Sequence, residues 1–85
     1  MKEGIVLSGA QNNIVTNNNI SKCIKGISIT KDTYNGASAI SKNNTISKNT
    51  IHDIDYGIYI KSSPDNIITN DNIITNYRIK DILNN

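Results

Sequence analysis

The chain has 85 residues and a formal net charge of +2, and its composition combines 18 isoleucines and 15 asparagines with no Trp or Phe. A chain of this size forms one domain at most, and such a domain buries only about 60% of the surface that its unfolded form exposes. Nine Lys and Arg residues are interleaved with seven acids, so the sequence lacks the basic block that predicts nucleic-acid binding. Regularly spaced Ile argues against disorder, and no apolar run is long enough to predict a membrane span.

The first predicted strand begins with a Gly-Ile-x-(Leu/Ile) tetrad that recurs twice. The tetrads begin at Gly4, Gly26 and Gly57, which lie 22 and 31 residues apart, so the second interval is the first with nine residues added. A period in the low twenties indicates a solenoid, and alternation within each tetrad indicates a short half-buried strand. We expect each Gly to permit a positive φ or a close backbone approach.

A second motif, Asn-x-Ile-x-x-Asn-x-Ile, follows each tetrad and predicts two further strands per repeat. Its copies span residues 13–20, 44–51 and 66–73, with Val15 and Asp71 in place of Ile and Asn. An inward Asn at a bend can satisfy its own turn and stack its carboxamide on the next coil. The predicted ladders are Asn13, Asn44 and Asn66, and Asn18, Asn49 and Asp71. The predicted apolar columns are Ile5, Ile27 and Ile58; Leu7, Ile29 and Ile60; Val15, Ile46 and Ile68; and Ile20, Ile51 and Ile73.

The nine added residues fall between Ile29 and Ile40. This segment contains Asn35-Gly36, a strong turn signal, and lacks apolar alternation, so we predict a loop at residues 30–39. The single domain, residues 1–85, then divides into coils at residues 4–25, 26–56 and 57–78, with residues 79–85 as an incomplete coil or a cap. The predicted fold is all-β, a parallel solenoid of about three coils. Open coil faces expose unpaired strand edges, so we expect a fragment of a longer solenoid or a self-associating unit.

The tetrad and the Asn motif at this period resemble the right-handed parallel β-helix repeat of the pectate-lyase-like superfamily, in the form found in NosD-like and mannuronan-epimerase-like repeat proteins. The resemblance covers residues 4 to about 78 and implies a right-handed parallel β-helix. It implies less about function, because lyases, epimerases, hydrolases, phage tailspikes and surface proteins share this coil. It also implies an extracellular or cell-surface location, although residues 1–25 lack a signal-peptide pattern.

The most reactive side chains cluster at residues 52–59. In uronate lyases and epimerases of the superfamily, a base removes a proton α to a carboxyl group while His, Tyr or a cation supports the developing charge. The candidates for these roles are Asp53, His52 and Tyr56. The predicted neighbours on adjacent coils are Ser21 and Ile74 beside His52, and Lys22 and Thr75 beside Asp53. A single coil therefore supplies the ionisable groups, which favours a solvated corner over an active site.

No metal or cofactor is predicted. Asp53 and Asp55 point to opposite faces of an extended segment, whereas a calcium site needs grouped carboxylates. Copper prefers His, Cys and Met, and the chain has one of each. Cys23 has no partner for an internal disulfide, and we predict that it packs as a small apolar residue.

Outward aromatic side chains beside polar groups indicate a carbohydrate-facing surface. Tyr56 is predicted between Lys25 and Arg78, a column suited to an anionic polysaccharide. Tyr59 is predicted on the same outward face, and Tyr34 on the inserted loop. The alternative for this column is a solvated edge whose aliphatic stems cover apolar surface.

The first functional interpretation is a non-catalytic β-helix module that acts as a scaffold or as a polysaccharide-facing surface. One alternative is a fragment of a polysaccharide lyase or uronate epimerase. Another is a self-associating structural or tailspike-like segment. The expected partners are a polysaccharide and further coils or copies at the open ends, but neither nucleic acid nor a membrane.

Overall fold

The computed structural model describes residues 2–34 and 36–84, apart from the side chains of Tyr34 and Asn84. Its strands are β1 (Glu3–Ser8), β2 (Ile14–Thr16), β3 (Asn19–Ser21), β4 (Lys25–Thr30), β5 (Asp32–Tyr34), β6 (Ala37–Ala39), β7 (Thr45–Ser47), β8 (Thr50–Lys61), β9 (Ile67–Ile68) and β10 (Ile73–Asn84). One parallel sheet has the order β1-β4-β8-β10, with β3 also paired to β8, and a second has the order β2-β7-β9. The strands of these two sheets stack on their equivalents in the next repeat, as the predicted all-β solenoid requires.

Stacked isoleucines form the core between these sheets. The registers join Ile5, Ile27 and Ile58 in one column and Val15, Ile46 and Ile68 in another. Ile27, Ile29, Ile46 and Ile51 are fully buried. Burial of one such side chain contributes about 1.5–3 kcal/mol relative to exposure, and β-branched residues suit the pleated surface. The alternation in the sequence therefore identified the side chains that hold the solenoid together.

The glycine column marks a close approach between coils. A Cβ added at Gly26 would lie 2.6 Å from the carbonyl oxygen of Gly57 and 2.8 Å from Cγ2 of Ile51. Gly4 meets its neighbours in the same way, and neither Gly4 nor Gly26 has a positive φ. Of the two explanations offered by the sequence, close approach is therefore the one that applies.

Two ladders of Asn carboxamides join the coils at their corners. Asn44 is fully buried, and its Oδ1 accepts hydrogen bonds from the backbone N–H and Nδ2 of Asn13 at 2.9 and 3.1 Å. Its Nδ2 donates to the Ala10 carbonyl and to Oδ1 of Asn66. Asn49 is buried in the same way, with Asn18 and Asn72 as its ladder neighbours. Each internal carboxamide thus forms the hydrogen bonds that water would otherwise have to make with the polar groups of its own turn and of the adjacent turn.

In the first two repeats, the residue before each ladder Asn adopts a left-handed backbone conformation, whereas Asp65 and Asp71 in the third repeat do not. These positive-φ residues are Asn12, Asn17, Asn43 and Lys48. Asn is strongly enriched among non-glycine residues with positive φ, which explains why three of these four positions are also Asn. The high Asn content therefore has two structural reasons, the ladder positions and the positive-φ positions that precede them.

The third repeat is one residue longer than predicted, which corrects the Asp71 and Ile73 assignments. Asn72, not Asp71, continues the second ladder, and Ile74, not Ile73, pairs with Ile51. The ladder position must donate, and Nδ2 of Asn72 donates to the Ile46 and Thr69 carbonyls at 2.9 and 2.8 Å. An ionised Asp only accepts. Ile73 is instead 58% exposed.

Asp71 lies in the turn that accommodates the extra residue. Its carboxylate contacts the Thr69 hydroxyl and accepts a hydrogen bond from the Lys48 N–H at 3.1 Å. These two hydrogen bonds hold the pKa of Asp71 below its usual range. The side chain thus stabilises its own turn, and the offset places Lys80 rather than Ile79 beside Gly57.

The inserted segment is an antiparallel hairpin, not the predicted loop. Strands β5 and β6 pair through Asp32 with Ala39 and Thr33 with Ser38, and Gly36 has φ +78°. Asn35 of the predicted turn lies outside the described residues. The β6 residues are exposed, so the hairpin can form without the apolar alternation that indicates a half-buried strand.

No helix in residues 2–34 and 36–84 is long and apolar enough to cross a membrane.

Candidate functional site

The candidate site forms at a corner where three successive repeats turn with positive φ. Lys22, Asp53 and Asn76 have φ values of 58°, 55° and 50°. They follow Ser21, His52 and Thr75, which are partners in the sheet register. The Lys22 N–H donates to the Asp53 carbonyl at 3.0 Å, and Nδ2 of Asn76 contacts Oδ1 of Asp53. The corner therefore presents side chains from adjacent repeats next to one another.

An open cleft of about 440 Å³ lies beside this corner. Its lining residues are Cys23, Asp53, Ile54, Asp55, Asn76, Tyr77 and Arg78. Cys23 and Ile54 are buried, and the Cys23 Sγ–H donates to the Ser21 carbonyl at 3.3 Å. Tyr77 pairs with Ile54 in the register but is 46% exposed. The cleft thus has an apolar base and a polar rim with one accessible phenol ring.

Asp53 is held in its ionised form at the rim. Its Oδ2 lies 3.0 Å from Nδ1 of His52, and the two side chains are 45% and 37% exposed. The hydrogen bond from His52, followed by that from Asn76, lowers the pKa of Asp53 below its ordinary value. A general base works best when its pKa lies near the operating pH. The electrostatics of Asp53 therefore suit hydrogen-bond acceptance better than proton abstraction.

Two cations on the outward face rest against tyrosine rings. Nζ of Lys25 lies 4.1 Å from the ring centre of Tyr59, and Cζ of Arg78 lies 5.6 Å from the ring centre of Tyr56. Both distances are within the range of cation–π attraction. These contacts hold the two long cationic side chains against the sheet, and Arg78 also lines the cleft.

Comparisons with known proteins match residues 1–83 to the family described as right handed beta helix region. The chain belongs to this family. The comparisons found no match among curated proteins or among solved structures. The β-helix prediction is thus confirmed for nearly the whole chain, whereas the likeness to pectate-lyase-like and NosD-like proteins remains a prediction.

The longer third repeat of the β-helix changes the neighbours predicted for the candidate residues. Tyr56 pairs with Ile79 instead of Arg78, and His52 pairs with Thr75 instead of Ile74. Asp53 has Asn76 beside it, not the predicted Thr75. Arg78 nevertheless reaches the Tyr56 ring, because it occupies the adjacent position on β10.

The β-helix brings some of the predicted residues together and separates others. Asp53 and Arg78 line the same cleft, whereas His52 and Tyr56 are not among its lining residues. Tyr59 and Lys25 form a pair on the outward face of the sheet. The predicted role of Tyr34 rests on a side chain outside the described part of the chain.

Asn76 and Tyr77 are cleft residues that the sequence reasoning missed. Both lie at the end of the third repeat, just before the fourth tetrad position at Lys80, and the assumed 22-residue period paired them with the wrong neighbours. The signal for the true register was present, because Asn72-x-Ile74 fits the Asn-x-Ile motif better than Asp71-x-Ile73 does.

Within the described part of the β-helix, no group of three or more His, Cys, Asp or Glu side chains is placed to hold a metal ion.

Proposed function

We propose that this β-helix region is a non-catalytic module that binds a polysaccharide chain in the cleft at the Asp53 corner. The observation that carries the proposal is the exposed Tyr77 ring in a cleft that also contains Asp53, Asp55, Asn76 and Arg78. Ligand sites typically combine an apolar surface with a few convergent polar groups.

The chemistry of the lining matches that of a sugar. A pyranose ring has one face of C–H groups, which packs against an aromatic ring, and an edge of hydroxyl groups. The carboxylates of Asp53 and Asp55 accept hydrogen bonds from hydroxyls, and the amide of Asn76 can donate and accept. The Arg78 guanidinium offers a fork of donors that suits the carboxylate of a uronate. The cleft therefore supplies each type of contact that a polysaccharide needs.

The fold supports binding over a longer stretch of polymer. The cleft adjoins the outward face of the sheet, where Lys25 and Arg78 rest on Tyr59 and Tyr56. Stacked parallel strands hold these side chains on rigid backbone, and a rigid site avoids much of the ordering cost of binding. A polysaccharide that leaves the cleft would meet this face next.

A second candidate function, uronate lyase or epimerase, is favoured by the contact between His52 and Asp53. Two features weigh against it. The lowered pKa of Asp53 makes its carboxylate a weaker base, and the Tyr56 ring lies against Arg78 rather than in the cleft lining. The binding role therefore has more support.

The test is a binding titration of the whole chain with two probes, a galacturonate hexasaccharide and a neutral glucose hexasaccharide. We expect one of them to bind and Tyr77→Ala to weaken that binding about tenfold or more, which corresponds to about 1.4 kcal/mol. Isothermal titration calorimetry gives the dissociation constants.

The matched control is Ile73→Ala, which removes an exposed side chain from the same strand away from the cleft. Equal binding by both variants, or no binding of either probe by the native chain, would contradict the proposal. The native chain and Asp53→Ala are also assayed for cleavage of polygalacturonate and for uronate epimerisation. Activity that Asp53→Ala removes would establish the enzymatic alternative instead.

A further inference from the structure

The Asn ladders have a direction, so the two faces of the stack are chemically different. The backbone N–H and Nδ2 of each ladder Asn donate to Oδ1 of the Asn in the following repeat. Within the described residues, Oδ1 of Asn13 and of Asn18 therefore accepts no hydrogen bond. At the opposite face, the backbone N–H groups of Asn66 and Asn72 donate none to a described residue. One face offers acceptors and the other offers donors at the same two corners.

Both faces also leave apolar core columns partly uncovered. Ile5 and Leu7 are half-buried at the acceptor face. At the donor face, Ile68 and Leu83 line two shallow hollows of about 260 and 270 Å³. The partner that matches both the hydrogen-bond pattern and the apolar columns is a second copy of this chain, stacked head to tail. Such a contact joins two different faces and can therefore repeat without closing.

Lys80 and Asp81 oppose this contact at the donor face. Lys80 lies beside Gly57 at the position that Gly occupies in the repeats before it, and an added Cβ at Gly26 would come 2.6 Å from the next carbonyl oxygen. In a stacked pair, the Cβ of Lys80 would clash with the backbone of the second copy in the same way. Asp81 pairs with Ile58 and so continues the apolar column with a carboxylate. A stacked copy would remove that carboxylate from water and place it opposite Ile5, an apolar side chain that cannot form a hydrogen bond with it.

We propose that Lys80 and Asp81 prevent head-to-tail stacking of copies of this chain, which its complementary faces otherwise favour. The two residues act at one corner of the donor face, while the Asn corners and the Ile68 column remain suited to a partner. Removal of both obstacles restores the Gly-Ile pattern at the start of the tetrad.

The test compares association of the native chain and the double variant Lys80→Gly/Asp81→Ile by sedimentation velocity over a range of concentrations. The double variant is expected to form dimers and longer assemblies at concentrations at least tenfold below those at which the native chain associates. The matched control is Lys31→Gly/Asp32→Ile, which makes the same two changes in the same order on the inserted hairpin. It is expected to sediment like the native chain.

A further variant tests the route of association. Addition of Asn13→Ala and Asn18→Ala to Lys80→Gly/Asp81→Ile removes the free acceptors, and we expect it to reduce the association. Asp81→Ile alone serves if the double variant does not fold, and it should associate to an intermediate degree. The proposal is overturned if the folded variants remain monomeric, if the native chain associates as strongly as they do, or if the Asn changes have no effect.

Discussion

Asn44→Ala is expected to lower the free energy of unfolding by about 3–4 kcal/mol. The side chain is fully buried and occupies the middle of a ladder. Its removal leaves the Asn13 N–H without an acceptor, and the Ala10 carbonyl and Oδ1 of Asn66 each lose one of two hydrogen bonds. An unpaired buried group costs about 1–3 kcal/mol and each further lost hydrogen bond about 0.5–1.5 kcal/mol, although part of this cost is recovered where water enters. Urea denaturation followed by circular dichroism measures the change.

The matched control is Asn13→Ala in the same ladder. Asn13 is exposed, and its backbone N–H keeps its bond to Oδ1 of Asn44 after the change. We expect a loss of about 1 kcal/mol or less, as for an ordinary partly exposed hydrogen bond. Equal losses of unfolding free energy for the two variants would contradict this prediction, because the buried Asn44 carboxamide would then contribute no more to stability than the exposed Asn13 carboxamide.

Gly26→Ala is expected to destabilise the β-helix by about 3 kcal/mol. The new methyl group would lie 2.6 Å from the Gly57 carbonyl oxygen, 2.8 Å from Cγ2 of Ile51 and 3.0 Å from Cδ1 of Ile54. A backbone carbonyl in a paired strand cannot move away as a flexible side chain can. The coils must therefore separate locally, which weakens both the sheet hydrogen bonds and the isoleucine packing. Thermal and urea unfolding measure the loss.

Gly36→Ala is the control for this substitution. Apart from its two chain neighbours, no described residue has an atom within 4 Å of a Cβ added at Gly36, but its φ of +78° is unfavourable for a side chain. The expected loss is about 1–2 kcal/mol, entirely from the backbone conformation. If Gly26→Ala costs no more than Gly36→Ala, the close approach between coils is not what selects Gly in the column.

The fold was predictable because each coil repeats the same constraints. An inward position accepts only an apolar side chain, a ladder corner needs a group that both donates and accepts, and the glycine column leaves no room for a Cβ. Ile46, Asn44 and Gly26 each satisfy one of these constraints. Identical constraints at a fixed interval make the solenoid visible in a single sequence.

The third repeat was misregistered because two readings satisfy the apolar pattern. Ile73 and Ile74 are adjacent, so either can continue the column above Ile51. The decision comes from hydrogen-bond chemistry, since Asn72 can donate to carbonyls and ionised Asp71 cannot. The error moved every later neighbour by one position and concealed the place of Tyr77 beside Asp53 in the cleft.

The cleft was less predictable than the core for a physical reason. Its polar rim side chains are exposed, and at exposed positions the repeat imposes neither apolar character nor a ladder, so no periodicity relates Asp55 to Arg78. Their proximity follows only from the correct register and from the positive φ at Asp53 and Asn76. The hairpin was missed on similar grounds, because its exposed strands lack a buried face.

Methyl NMR of the chain labelled at isoleucine tests the parallel stacking and the length of the third repeat most directly. The register predicts nuclear Overhauser contacts between the methyl groups of Ile27 and Ile58 and between those of Ile51 and Ile74. The Ile51 contact to Ile74 should be stronger than any contact to Ile73, which is exposed. A dominant contact from Ile51 to Ile73, or the absence of the contact between Ile27 and Ile58, would contradict this account.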